Sequence, residues 1–450
     1  MSDRSMTTET YTKLFGANRR MVDQGSCSVM NNLREEALAS LSRSGLPDAS
    51  LEEYLHTDVA KWFEPDWGMN LNRLELPVSL KSGFRCSVPN LSTALYYLAD
   101  DRFVPSADVA LPEGVVAGGL CDVARSMPGV AERYYGQIAD MKRPGIAALN
   151  TLFAQDGFMV YVPEGLTVDK PLQLISLLQS PVDMMVTRRL LVVLGRGASL
   201  KLLLCDHASD RHSYLTTQVT EVFAGEGARL DMYDLEETGP NVNRVSELFL
   251  KQESDSMVNM LTMTLNNGRT RNSCHAYLAG RGSALNLDGI AIANGSQHID
   301  NYTFVDHQVP DCQSSELFKY VLGECATGAF AGKVLVRPDS QRTVSHQTNR
   351  NICLTRSARM FTQPQLEIYA DDVKCSHGAT VGQLDERALF YMRQRGIPEE
   401  EARTLLMTAF AGEVLDRVTL GPLQQRLRHL VERRFRFGNN ICDDCHICNR

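Results

Sequence analysis

The chain has 450 residues, 43% hydrophobic and 22% charged, an ordinary globular composition with room for two or three structural units. Its formal net charge of −8 excludes nucleic acid as the main partner, because phosphate binding needs a basic face. No apolar run approaches the roughly 20 residues of a membrane helix, and the start, MSDRSMTTETYTKLF, has no signal-peptide stretch; a cytoplasmic protein with mostly free thiols is expected.

Residues 1–147 read as a mixed, mainly helical domain. NNLREEALASLSRSGLPDASLEEYLHTDVAKWF carries helix formers, a break at Gly45-Leu46-Pro47 and a second helical start after Asp48. From 148 to 382 the texture becomes a series of short β-like runs, and five share one phrase: VVLGRGASLKLLL, VFAGEGARLDMYD, AYLAGRGSALNLD, YVLGECATGAFAG and ICLTRSARMFTQP. Their corners fall at Gly195, Gly225, Gly280, Gly323 and Thr355. Repetition of this kind predicts a mainly β protein with a parallel β-helix core, each coil burying its apolar face on the next. Glycine is expected at the corners because it tolerates left-handed backbone. None of these phrases supplies the third glycine of a dinucleotide fingerprint, and no P-loop occurs, so the chain is not itself an ATPase.

Residues 383–437 turn helical. Asp385 is the expected N-cap and Gly396 the terminator of LDERALFYMRQRG. The next helix starts at Pro398 with three glutamates near its positive end, and Ala402, Leu405, Leu406, Ala409 and Phe410 share a face. Gly421-Pro422 then breaks the chain before a basic helix, and a cysteine-rich tail, residues 438–450, ends it.

Nine of the twelve cysteines are scattered singly, Cys27, Cys121 and Cys205 among them, and read as small buried hydrophobes. Cys375 and His377, in ADDVKCSHGATVG, differ: on an extended strand they point to one face. A thiolate and an imidazole suit iron or an iron–sulfur cluster better than magnesium or calcium. Clusters take about four protein ligands, so the pair makes chemical sense only as half of a site at an interface. The competing reading is a turn histidine bonded to Asp371 or Asp372, with Cys375 buried by a further coil. In the tail, Cys442, Cys445 and Cys448 are candidate zinc or cluster ligands lacking a fourth partner; a flexible thiol-bearing tail is the alternative. His298, Asp300, Asp306 and His307 form the most enzyme-like group elsewhere, and a solvated outer face is the expectation for them. A polysaccharide-active β-helix enzyme therefore competes with a scaffold, supported only by the solenoid pattern and these carboxylates.

PQLEIYADDVKCSHGATVGQLDERALFYMRQRGIPEEEARTLL strongly resembles the end of the SufB/SufD family of iron–sulfur cluster assembly subunits. ALNTLFAQDGFMVYVPEGLTVDKPLQL is similar to the segment that opens that family's core, and GLPDASLEEYLHTDV to its N-terminal motif. SufB-like sequences carry E-H-E where this chain has C-S-H-G, which favours the SufD branch. The resemblance implies a right-handed β-helix between an N-terminal domain and C-terminal helices. It implies a non-catalytic scaffold paired with a SufB-type subunit and a SufC-type ABC ATPase, with a cysteine desulfurase and sulfur shuttle acting indirectly. A homodimer is expected when the partner is absent. A transient cluster or iron at the subunit interface would be assembled at His377, with Cys375 the weaker member. Leu406, Met407 and Phe410 are the expected ATPase-docking face, and Leu366 to His377 the closing strand that pairs across the dimer.

Overall fold

The computed structural model describes residues 3–76, 80, 88, 91–105, 110–208 and 212–438. Cys442, Cys445 and Cys448 lie outside them. Helices Asp3–Gln24, Ser28–Asn31 and Arg34–Ser44 open the chain, and short helices Leu120–Ser126, Pro128–Tyr134 and Ala147–Phe153 lead into the core.

Two long sheets form that core. The ten-stranded sheet runs β19 (Val373–Gly382), β17 (Thr343–Cys353), β15 (Gln313–Leu322), β13 (Ala284–Ala293), β11 (Met257–Asn266), β9 (Arg229–Glu237), β7 (Ser199–Ala208), β5 (Leu172–Leu178), β1 (Ala94–Ala99), β2 (Arg102–Val104). The nine-stranded sheet runs β18 (Arg359–Ile368), β16 (Thr327–Val336), β14 (His298–His307), β12 (Arg269–Leu278), β10 (Val242–Gln252), β8 (Tyr214–Ala224), β6 (Met184–Leu194), β4 (Gly157–Val162), β3 (Val116–Gly119). Successive strands alternate between the sheets, so each coil adds one strand to each: a parallel β-solenoid. Three strands that precede residue 148 extend these sheets. β2 and β3 pair antiparallel with β1 and β4 and close the first end of the stack.

Strands covered on both faces should read as continuous apolar runs, and all eleven residues of β6 are buried. Between the sheets, Leu190, Val192, Leu202, Leu230, Leu285 and Phe330 pack together. On the outside of the nine-stranded sheet, Met185, Leu215, Val245 and Phe249 lie under Phe15, Trp62, Phe63 and Phe153 of the N-terminal segments. On the outside of the other sheet, Leu203, Leu261, Ile290 and Leu317 lie under the C-terminal helices Glu399–Leu415 and Gly421–Phe437, through Val414, Leu415, Leu423, Leu427 and Val431. Both broad faces are thus covered by the chain itself.

The five glycine phrases do not mark one corner. Gly195, Gly225 and Gly280 lie where the chain passes from the nine- to the ten-stranded sheet, Gly323 and Thr355 where it returns. Within G-x-G it is the second glycine, Gly197, Gly227 or Gly282, that takes the left-handed backbone. The first glycine is there for closeness: a Cβ on Gly225 would stand 2.8 Å from the Gly195 carbonyl carbon in the coil below. Gly225→Ala should therefore destabilise the chain by about 2–3 kcal/mol in urea unfolding. Gly378→Ala on β19, where a Cβ meets nothing within 4 Å, should stay within about 0.5 kcal/mol. Equal effects would show that coil spacing is not set at the corner.

Candidate functional site

Both sheets end on the same coil, with β18 and β19 as their edges. The stretch Leu366 to His377 is therefore not one closing strand. β18 ends at Ile368, residues 369–372 turn the corner, and β19 begins at Val373. Its alternation fails at the same place: Ile368 and Tyr369 are both exposed and only Ala370 is buried.

Cys375 and His377 lie on β19 beside Ser345 and Gln347 of β17. Those two are buried and point between the sheets. Ser345 Oγ is 2.8 Å from Ser314 Oγ, which is 2.9 Å from His307 Nε2. Gln347 Nε2 donates to Glu316 Oε1 at 3.0 Å, and Thr303 Oγ1 donates to Glu316 Oε2 at 2.6 Å. Cys375 and His377 thus occupy the inner side of the last strand, the shared face expected from their spacing. Each stands at the end of a column of buried polar side chains. Among the described residues no further coil covers them. Cys375 is half-buried against the apolar interior, and burial pushes its thiol up. His377 is exposed. Burial pushes Glu316 up to about 7, against the hydrogen bonds from Thr303 and Gln347.

Sequence reading did not single out these columns. Their signal is present in TVSHQTNRN, where Thr343, Ser345, Gln347, Asn349 and Asn351 alternate and are all buried. Among the described residues, no group of three or more His, Cys, Asp or Glu is placed to hold a metal. The two donors fit iron or a cluster in type and fall short in number.

The acidic–histidine group on β14 has a different role from either reading of it. It is not a solvated face. Asp300 is buried, ion-paired with Arg271 at 2.6 Å and bonded by the Thr57 hydroxyl. That hydroxyl also lies 2.8 Å from His298 Nε2, and Arg271 stacks over Tyr54. Asp306 is buried and paired with Arg337 at 2.7 Å, while His307 turns inward to Ser314. The two carboxylates are committed to separate arginines, and Asp300 fastens the segment around residue 57 onto the sheet.

The expected ATPase face needs correction at Met407. That side chain is buried in the chain's own core with Val321, Ile352 and Leu384. Leu406 and Phe410 are half-buried against the same cluster, and Lys319 Nζ donates to the Phe410 carbonyl at 2.8 Å. Phe390, Tyr391 and Leu405 are the large apolar side chains that the C-terminal helices expose before the last of them. Asp385 caps its helix through bonds from the Arg387 and Ala388 amides, and Gly396 has φ 87°.

Fold and site define a β-solenoid protein with both faces covered and a soft donor pair at an open coil end. The chain belongs to the SufBD family. Residues 177–410 match the SUF system FeS cluster assembly SufBD core domain, and residues 5–174 match the SufBD protein N-terminal region. A SufBD family iron–sulfur cluster assembly protein of Synechocystis is 28% identical over 92% of this chain and 93% of its own length. The iron–sulfur cluster assembly protein SufD of Escherichia coli is 34% identical over 37% of this chain and 40% of its own. SufD of Bacillus subtilis is 24% identical over 72% and 74%. These relatives make the chain a SufD-type subunit of the iron–sulfur assembly system.

Proposed function

We propose that the chain is a non-catalytic cytoplasmic scaffold that pairs, through its open coil end, with a SufB-type subunit, and that Cys375 and His377 supply half of a transient iron or iron–sulfur site there. The observation that carries this is the placement of two soft donors, alone, on the inner side of a terminal strand. An edge strand offers unpaired N–H and C=O groups to a partner strand. β18 is the poorer edge because Pro364 lacks a donor; β19 has no proline. The incoming strand, from SufB or from a second copy when SufB is absent, adds to β19 and brings the missing ligands. Sulfur from a cysteine desulfurase and its shuttle would reach this site through the partner.

His377→Ala should leave the melting curve unchanged, since an exposed side chain carries little packing, and should lower the activity of cluster-dependent enzymes in cells that rely on this pathway. Full activity at native expression would remove His377 from the mechanism. Val373→Pro takes one donor from β19, and association measured by sedimentation should weaken about tenfold, the equivalent of about 1.4 kcal/mol. Unchanged association of the folded variant would place the interface elsewhere.

A SufC-type ATPase is proposed to dock on the C-terminal helices around Phe390, Tyr391 and Leu405, with Leu406 and Phe410 at the margin. Leu405→Glu should abolish capture of the ATPase at an unchanged melting temperature, whereas Met407→Glu should unfold the region, because it buries a charge. Capture by folded Leu405→Glu protein at wild-type strength would refute this face.

A further inference from the structure

We propose that Cys27 and Cys121 are a modification site: under peroxide they form a reversible disulfide that staples the N-terminal helices to the first coil. The sequence shows two isolated cysteines, and the fold brings them together. Cys27 lies between the Asp3–Gln24 and Ser28–Asn31 helices, and Cys121 lies in the Leu120–Ser126 helix that follows β3 directly. Both thiols are buried, 6% and 5% exposed, in one cluster with Met30, Ala154, Met159 and Leu191. They are in hydrogen-bond contact with each other. Cys121 Sγ is also 3.3 Å from the Gln155 carbonyl oxygen and 3.8 Å from Met30 Sδ.

The contact is asymmetric. The Cys121 thiol donates to the Gln155 carbonyl, which holds its proton. Contact with Cys121 keeps Cys27 below its ordinary range against the cost of burial, while Cys121 is pushed up by the same contact and by burial. Because the Gln155 carbonyl keeps the proton on Cys121, Cys27 is the attacking sulfur and Cys121 the resolving one. The Cys27 thiolate attacks one peroxide oxygen, the O–O bond breaks, and the departing hydroxide takes the Cys121 proton to give water. The Cys121 thiolate then attacks the sulfenic sulfur, and the hydroxyl leaves and is protonated to a second water. Two thiols and one hydrogen peroxide give one disulfide and two waters, and a small thiol reverses the step.

The location gives the bond a consequence. Gln155 Nε2 donates to the Leu71 carbonyl at 3.0 Å, and Arg73 pairs with Asp156 at 3.4 Å. The junction between the N-terminal segments and β4 thus rests on polar contacts near the sulfurs. A covalent tie between positions so far apart in sequence constrains the unfolded chain strongly.

The test uses the full chain, reduced, then exposed to a small excess of hydrogen peroxide, denatured and blocked with N-ethylmaleimide. Trypsin releases Cys27 in residues 21–34 and Cys121 in residues 103–125, each as the single cysteine of its peptide. The expected result is a linked 21–34/103–125 peptide, two hydrogens lighter than the pair and lost on reduction, with a melting temperature raised by about 5 °C or more. Cys121→Ala should abolish both effects. Blocked, unlinked peptides, or sulfinic acid at Cys27 beside a free Cys121, would overturn the disulfide in the wild-type protein itself, and a linked peptide without a melting shift would overturn the staple.

Discussion

A stack of coils in parallel register hands its backbone hydrogen bonds upward, each coil to the next, and such a stack has to end. At the corners the handover is visible: the Gly165 amide donates to Arg196, Gly197 to Glu226 and Gly227 to Ser254, each at 2.7–2.8 Å. The first end is closed by reversing direction, with β2 and β3 laid antiparallel against β1 and β4. The last end has no such device among the described residues. β18 and β19 are edges of both sheets at once, and an uncovered edge is a template for pairing. The open end is thus a consequence of the architecture, and the donor pair lies on an edge strand that leaves backbone groups for another chain to satisfy.

The interior explains why the stack keeps its register up to that end. Arg188 pairs with Asp206 at 3.0 Å and Asp206 with Arg244 at 3.4 Å, all three buried between the sheets, and Arg244 also bonds the half-buried Asp234. Buried ion pairs contribute little net stability, but a one-residue slip would turn these side chains to the outer faces and strand their partners. From the strand that carries Arg244 onward, the ions give way to neutral ladders: Ser246 Oγ to Asn272 at 2.7 Å, Asn272 to Asn301 at 3.1 Å, Asn301 to Tyr320 at 2.6 Å. The polarity inside continues through Glu316 and Gln347 to the last coil, so His377 stands over a polar column while Cys375 also packs against the apolar interior.

Much of this was legible locally. Glycine corners followed by alternating runs indicated a solenoid, and Asp385 and Gly396 bounded their helix, because turn chemistry and capping are decided within a few residues. The phrases were nevertheless merged across two different corners, since G-x-G looks alike whether a glycine serves left-handed φ or close approach. The i, i+2 relation of Cys375 and His377 placed both on one face; where the strand began was hidden, because Leu366 to Ala370 alternates across a corner. Asp300 was unreadable for another reason. Its hydroxyl partner Thr57 lies 243 positions away, and no local pattern announces that a segment will fold over it. Met407 and the Cys27–Cys121 contact belong to the same class: which side of a helix meets the chain is settled by distant packing.

The distribution of covered surface then decides what kind of work the molecule can do. The N-terminal segments cover much of the outside of one sheet and the C-terminal helices much of the outside of the other. Of the enzyme-like carboxylates, Asp300 serves this covering beneath Thr57, and Asp306 pairs with Arg337 of the solenoid itself. Among the described residues the coil end and the backs of the helices stay uncovered, and these are the surfaces that the proposed function gives to other proteins. A soft donor pair that cannot complete a metal site, on an edge strand that cannot complete a sheet, has two deficits of the same kind. A single partner strand carrying ligands resolves both, and that coincidence is the physical reason to treat the site and the interface as one feature.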